Sequence, residues 1–140
     1  MDVQVAESEE AVRSCYAVMH ELRTQLDEDE FVRRVREQQA DAYQLAYIAS
    51  LGQPVAAAGY RIGRCLAWGR FMYVDDLVTL PSERSNGYGS ALLKWLQDQA
   101  HQAGCAELHL DSGVQRVDAH RFYEREGMTK SSFHYEIQLD

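Results

Sequence analysis

Apolar positions change period several times along the chain, and each change marks an element. Val3 and Val5 alternate with polar neighbours, which predicts a short first strand. Val12, Tyr16, Met19, Leu22 and Leu26 recur at spacings of 4, 3, 3 and 4, the pattern of one helix face. That helix opens at Ser8, with Glu9 and Glu10 at the positive end of its dipole. The acidic run Asp27 to Glu30 opens a second helix carrying Phe31, Val32 and Val35. From Tyr43 the pattern becomes strand-like. Tyr43 to Ser50 and Val55 to Arg61 predict two strands joined by a tight turn at Leu51-Gly52-Gln53-Pro54, and a third runs from Phe71 to Leu80, stopped by Pro81. Tyr88, Leu92, Trp95, Leu96 and Ala103 return to helical spacing, with Gly104 as the C-terminal cap. Glu107 to Asp111 alternates as a strand, and Val117 to Glu126 is a short helix ended by Gly127. Phe133, Tyr135, Ile137 and Leu139 alternate with His134, Glu136 and Gln138, the period of a half-buried last strand.

Three consecutive strands ahead of a strand–helix–strand unit predict an α/β (α+β) fold, a central mixed sheet with helices on its faces. The length of 140 residues fits one domain, 1–140, with one core. No apolar run approaches the ~20 residues of a membrane span, and no basic, then apolar leader is visible, so a cytoplasmic protein is expected. Cys15, Cys65 and Cys105 are far apart and odd in number, which points to buried free thiols rather than disulfides or zinc. The net charge of -8 argues against nonspecific nucleic-acid binding and suits a cationic acceptor.

The chemistry is concentrated in Tyr73-Val-Asp-Asp-Leu-Val-Thr-Leu-Pro-Ser-Glu-Arg-Ser-Asn-Gly-Tyr-Gly-Ser90, a strand, a glycine-containing loop and a helix start in succession. Gly87 and Gly89 permit a tight turn, and the unpaired amides of the following helix make a site for phosphate, with contacts available from Arg84 and Ser90. A Walker loop is excluded because no lysine follows, and a dinucleotide fingerprint because Leu92 holds the third glycine position. What remains is Arg84-Ser-Asn-Gly87-Tyr-Gly89, a weak pattern by itself. It resembles motif A of the Gcn5-related N-acetyltransferases (GNAT), whose loop holds the coenzyme A pyrophosphate. Downstream, Ala119-His-Arg-Phe-Tyr123-Glu-Arg-Glu-Gly127-Met128 resembles motif B of the same family. The resemblance runs from about Tyr43 to Leu139.

This resemblance implies acetyl-CoA as cosubstrate and no metal. It implies that Arg84, Ser85, Asn86, Gly87, Tyr88, Gly89 and Ser90 bind the pyrophosphate. Leu77, Val78 and Thr79 at the strand end are implied to meet the pantetheine arm, with Arg116, His120 and Phe122 as further coenzyme contacts. Ser85 departs from the family's usual glycine, and Arg116 from its usual asparagine. A homodimer is implied at family level only.

Acetyl transfer to an amine needs a base, an acid and an oxyanion donor. A lysine-like amine has pKa ~10.4, so its nucleophilic form costs about 4–5 kcal/mol at pH 7. Asp75 is the candidate base, because Tyr-Val-Asp-Asp resembles the Tyr-Leu-Glu-Asp of polyamine-acetylating members. Strand alternation places Asp75 with Tyr73, Leu77 and Thr79, and Asp76 on the opposite face; the alternative is that one or both pair with arginine. Tyr123 is the candidate acid, the alternative being a core tyrosine. The histidines show no metal spacing, and Ser112 lies outside a nucleophile elbow. Tyr47, Tyr60, Trp68 and Tyr73 line an acceptor pocket or pack in the core. The acceptor is a small amine or a protein amine, with the acidic surface and Asp pair tilting toward a small cationic amine. The rival reading is a noncatalytic acyl-CoA-binding module.

Overall fold

A computed structural model describes residues 1–139. Its contacts gather into two compact units, Met1–His109 and Leu110–Asp140. The first begins with β1 (Val3–Val5), α1 (Glu9–Ser14), α2 (Tyr16–His20) and α3 (Glu28–Gln39). It continues with β2 (Gln44–Ser50), β3 (Gln53–Cys65), β4 (Gly69–Thr79), a 3-10 turn at Pro81–Glu83 and α4 (Tyr88–Gln102). β5 (Glu107–Leu110) follows, and α5 (Val117–Arg125) lies in the second unit. The strands form one sheet in the order β1-β2-β3-β4-β5. The first four are antiparallel neighbours, and β5 is reached through the α4 crossover, so the sheet is mixed as expected.

Helix starts follow their caps. The Ser8 hydroxyl accepts from the Ala11 amide at 3.1 Å, and the Asp27 carboxylate accepts from the Glu30 amide at 2.8 Å. The expected first helix is corrected. The apolar face from Val12 to Leu26 is not one helix but α1, α2 and a loop, broken at Cys15. The Ser14 hydroxyl donates to the Ala11 carbonyl at 2.6 Å at this break, a local bond that competes with the helical ladder. The face survives the break, since Val12, Val18 and Met19 are buried and Leu22 and Leu26 pack against them.

The sheet is covered on both sides. On one face α1–α3 bury Val12, Phe31, Val32 and Val35 against Tyr43, Leu45, Ala57 and Val78. On the other, α4 buries Leu92, Leu93 and Leu96 and sets Trp95 edge-on to Tyr60 at 5.9 Å. No helix among the described residues is long and apolar enough to cross a membrane.

The β3–β4 register carries the decisive irregularity. Gly59 pairs with Asp76 and Tyr60 with Val74, leaving Asp75 as the extra residue of a β-bulge. Simple alternation therefore fails across it. Ala57, Gly59 and Arg61 share one face of β3, so their partners Val78, Asp76 and Tyr73 share that face too. Leu77, opposite Ala58, and Thr79, opposite Ala56, move to the other face. The expectation that the two aspartates point apart is corrected: the bulge brings both to the Arg61 and Tyr73 side, as their partners below show. Gly59 makes this possible, because a Cβ there would overlap the Tyr43 hydroxyl and come within 2.6 Å of an Asp76 carboxylate oxygen.

Two further corrections concern cysteine and the last strand. Only Cys15 is buried; Cys65 is exposed and Cys105 intermediate. Residues 131–139 form no strand: Phe133, Tyr135, Ile137 and Leu139 are 81%, 90%, 84% and 89% exposed. Alternation supplies the side-chain period, but a strand exists only where a neighbouring edge takes its backbone hydrogen bonds.

Two outcomes test this packing. Gly59→Ala should lower stability by about 2–3 kcal/mol in a denaturant titration, through overpacking and loss of the Tyr43–Asp76 bond. Burial pushes the Cys15 thiol up to about 12, so it stays protonated and unreactive through pH 9. Alkylation followed by mass spectrometry should label Cys65 first, and Cys15 only after unfolding.

Candidate active site

The bulge concentrates charge on one face of β4. Tyr43, deeply buried just before β2, donates its hydroxyl to Asp76 Oδ2 at 2.7 Å. Burial first, and then the Asp76 charge, push the Tyr43 hydroxyl well above its ordinary range, so it remains a neutral donor. Arg23, in the loop after α2, donates through Nε to Asp76 Oδ1 at 2.8 Å and through Nη2 to the Asp75 carbonyl at 2.8 Å. Arg61 forks onto the Asp75 carboxylate, Nε to Oδ2 at 2.8 Å and Nη2 to Oδ1 at 3.0 Å. Its guanidinium lies 5.3 Å from the Tyr73 ring centroid, which fixes the plane of the fork. The hydrogen bond to Asp75 holds Arg61 above its ordinary range. Both aspartates thus pair with arginine, the alternative left open by the sequence.

Past the bulge, β4 runs into the predicted coenzyme segment. Val78 and Thr79 pair with Ala57 and Ala56 of β3 on one edge. On the other edge, the Ala106 amide donates to the Arg70 carbonyl at 2.8 Å, leading into β5 at the opposite end of β4. β5 is four residues long against eleven in β4. Leu77 is half-buried on the neighbouring face.

The chain then enters an exposed loop, Arg84 to Gly87. The Asn86 amide donates to Glu83 Oε2 at 3.1 Å and steadies it. Gly87 caps α4 at φ 83°, left-handed geometry that glycine adopts without cost. No side chain caps this helix, and Ala91 is the first amide to bond back into it, at 3.0 Å to the Gly87 carbonyl. The amides of Tyr88, Gly89 and Ser90 therefore face outward at the positive end of a 15-residue helix. An exposed loop ending in uncapped amides fits the pyrophosphate of coenzyme A. Ser85 stands at φ 71°, a left-handed position, which explains in physical terms why glycine is the usual residue there.

The second unit holds the other candidates. α5 begins at Arg116, whose carbonyl accepts from the His120 amide at 3.1 Å. The His120 Nε2–H donates to the Gly113 carbonyl at 2.8 Å, pinning the loop ahead of the helix. Phe122 packs edge-on to Tyr123 at 5.5 Å. Burial raises the Tyr123 hydroxyl above its ordinary range, and the Arg116 guanidinium partly offsets this. Tyr123 is thus a protonated phenol at neutral pH.

The predicted aromatic lining is not gathered in one place. Tyr60 packs under α4. Tyr47 donates to Gln4 Oε1 at 2.9 Å. Trp68 stacks on His109 with centroids 3.4 Å apart. Tyr73 alone among these four stands beside the aspartates. Sequence reasoning missed Tyr43, Arg23 and Arg61, which are separated from the aspartates by 14 to 53 positions. Among the described residues, no three histidine, cysteine or acidic side chains are grouped to hold a metal.

Comparison with known proteins fits this geometry. The acetyltransferase (GNAT) family profile matches residues 9–128. An uncharacterized N-acetyltransferase, YhdJ, of Bacillus subtilis is 36% identical over 132 residues, 93% of this chain and 92% of that protein. An aminoalkylphosphonate N-acetyltransferase of Salmonella typhimurium is 44% identical over 62 residues, 44% of this chain and 40% of that protein. Among solved structures, an aminoglycoside N-acetyltransferase in complex with CoA superposes with a TM-score of 0.86 at 15% identity, covering 99% of this chain and 93% of that one. A Bacillus halodurans transcriptional regulator gives 0.85 at 21% identity, covering 99% and 100%. With its motifs on a strand end and a helix start, and with the profile matched from α1 to the end of motif B, this chain belongs to the GNAT acetyltransferase family and is an acetyl-transferring enzyme.

Proposed function

We propose that the enzyme moves an acetyl group from acetyl-CoA to a primary amine by direct attack in a ternary complex, within a single acetyltransferase domain. The observation that carries this reading is the continuity of β4 into α4: a carboxylate pair, the end of the strand and an uncapped helix start follow one another within Asp75 to Ser90. The amine needs a base, the pantetheine an edge and the pyrophosphate a ring of amides. The three lie in that order along the chain.

The neutral amine nitrogen forms a bond to the thioester carbonyl carbon, the C–S bond breaks, and the ammonium proton leaves the nitrogen. Asp75 takes that proton through water, because Arg61 occupies both carboxylate oxygens. Tyr123, a protonated phenol at neutral pH, returns a proton to the departing thiolate. Arg116, His120 and Phe122 order the start of α5 around it. A noncatalytic acyl-CoA-binding module is not favoured, since the two relatives in sequence are both named N-acetyltransferases. A homodimer is part of the proposal. The uncovered apolar side chains of 131–139 support it, and a sedimentation mass of twice 16.0 kDa is expected.

Two kinetic tests apply. Tyr123→Phe and Asp75→Asn should each lower kcat by roughly 10²-fold or more, while calorimetric titration shows acetyl-CoA affinity changed by less than about 2-fold. A comparable loss of affinity would assign them to binding instead. Gly87→Val should weaken acetyl-CoA binding by about tenfold or more, since a β-branched residue is a backbone outlier at positive φ. Unchanged affinity would remove this loop from the coenzyme site.

A further inference from the structure

The charges at the bulge are not distributed as a cationic acceptor would require. Asp76 and Asp75 are the covered members of their pairs, with side chains 11% and 26% exposed. Arg23 and Arg61 are the outward members, 41% and 49% exposed. Each guanidinium commits Nε and Nη2 inward, and neither Nη1 has a hydrogen-bond partner among the described residues. Both arginines converge on one residue, Arg23 on the Asp75 carbonyl and Arg61 on its carboxylate. Two partly exposed guanidinium groups are therefore bonded to different groups of the same residue. They are held rigidly, by the fork onto Asp75, the Tyr73 ring beneath Arg61, and Asp76 braced by Tyr43.

Simple neutralisation accounts for the two pairs, Arg23 with Asp76 and Arg61 with Asp75, but leaves the second terminal nitrogen of each arginine without a use. Partly exposed ion pairs contribute little to stability. The chain carries only 14 Lys and Arg against 22 Asp and Glu, so two cations gathered here run against the overall charge. A planar guanidinium with a free edge matches an oxyanion better than any other ligand group.

We propose that Arg23 and Arg61 form the acceptor subsite for an oxyanion, so that the natural acceptor is an amine that also bears a phosphonate, phosphate or carboxylate. The inference rests on the acetyltransferase reading above and reverses the tilt toward a purely cationic amine. The anion docks on the outer edges of Arg23 and Arg61. The amine end of the same molecule then lies beside β4, where Asp75 and the strand end at Val78 and Thr79 follow. The oxyanion takes no part in bond making; it orients the amine and raises its local concentration.

The test uses the full-length enzyme, acetyl-CoA and thiol release with four acceptors of matched chain length: an aminoalkylphosphonate, an ω-amino acid, an amino alcohol and a diamine. The anionic amines should show kcat/KM at least 10-fold above the neutral and dicationic ones. Arg61→Gln and Arg23→Gln should each lower the ratio of kcat/KM for the anionic acceptor to kcat/KM for the amino alcohol by about 10-fold or more, whatever they do to the rate common to both. An alkylphosphonate lacking the amine should inhibit competitively against the acceptor and not against acetyl-CoA in the unmodified enzyme, an arm that does not depend on how the variants fold. Preference for the diamine, or equal changes in kcat/KM for anionic and neutral acceptors, overturns the proposal and leaves the acetyltransferase reading intact. No thiol release with any acceptor, together with no acetyl-CoA binding by calorimetry, overturns that reading itself.

Discussion

One extra residue in β4 organises the functional half of this molecule. Asp75 has no partner on β3, and the ladder slips by one position between Gly59 and Tyr60. Every side chain beyond the slip changes face, so β4 buries Val74 under α4 and Val78 under α1–α3. The same slip turns two successive aspartates to one side, where a regular strand would have set them on opposite faces. It is tolerated because Gly59 lacks a Cβ and leaves room for the Tyr43 hydroxyl to reach Asp76.

Charge placement follows from this geometry. Two carboxylates crowded at a sheet surface would repel, and arginines from a helix-bounding loop and from β3 offset that repulsion. The carboxylates become the inner layer and the guanidinium groups the outer one. Within an overall acidic chain, the more exposed member of each pair beside the candidate base is thus the cation, and each pair is neutral as a whole. Net charge governs how the molecule meets its surroundings at long range, while paired groups such as these act only within a few ångströms.

The coenzyme side is built from simpler parts. An antiparallel pair ends at Thr79, and a left-handed glycine starts a helix that no side chain caps. The proposed coenzyme contacts rest on backbone geometry of this kind. Ser85 adopts a left-handed φ of 71° that glycine would take without strain.

Much of this architecture is legible in the amino-acid sequence by itself. Hydrophobic periodicity locates the strands, α3, α4 and α5 to within a few residues, because burial on a sheet or helix face imposes a period that the chain itself carries. Ser8, Asp27, Gly87 and Gly104 mark helix ends because capping is a local bond or a local dihedral. Motif A and motif B are readable for the same reason: each lies within one stretch of chain. The break at Cys15 escapes the pattern, since the apolar face continues across it. A strand at Phe133 to Leu139 is written in the alternation, but a strand also needs a partner edge, and no residue of that segment encodes one. The bulge, the shared face of Asp75 and Asp76, and their partners Tyr43, Arg23 and Arg61 are decided only by tertiary structure. They depend on register between strands and on contacts across as many as 53 positions, where no local rule of sequence operates.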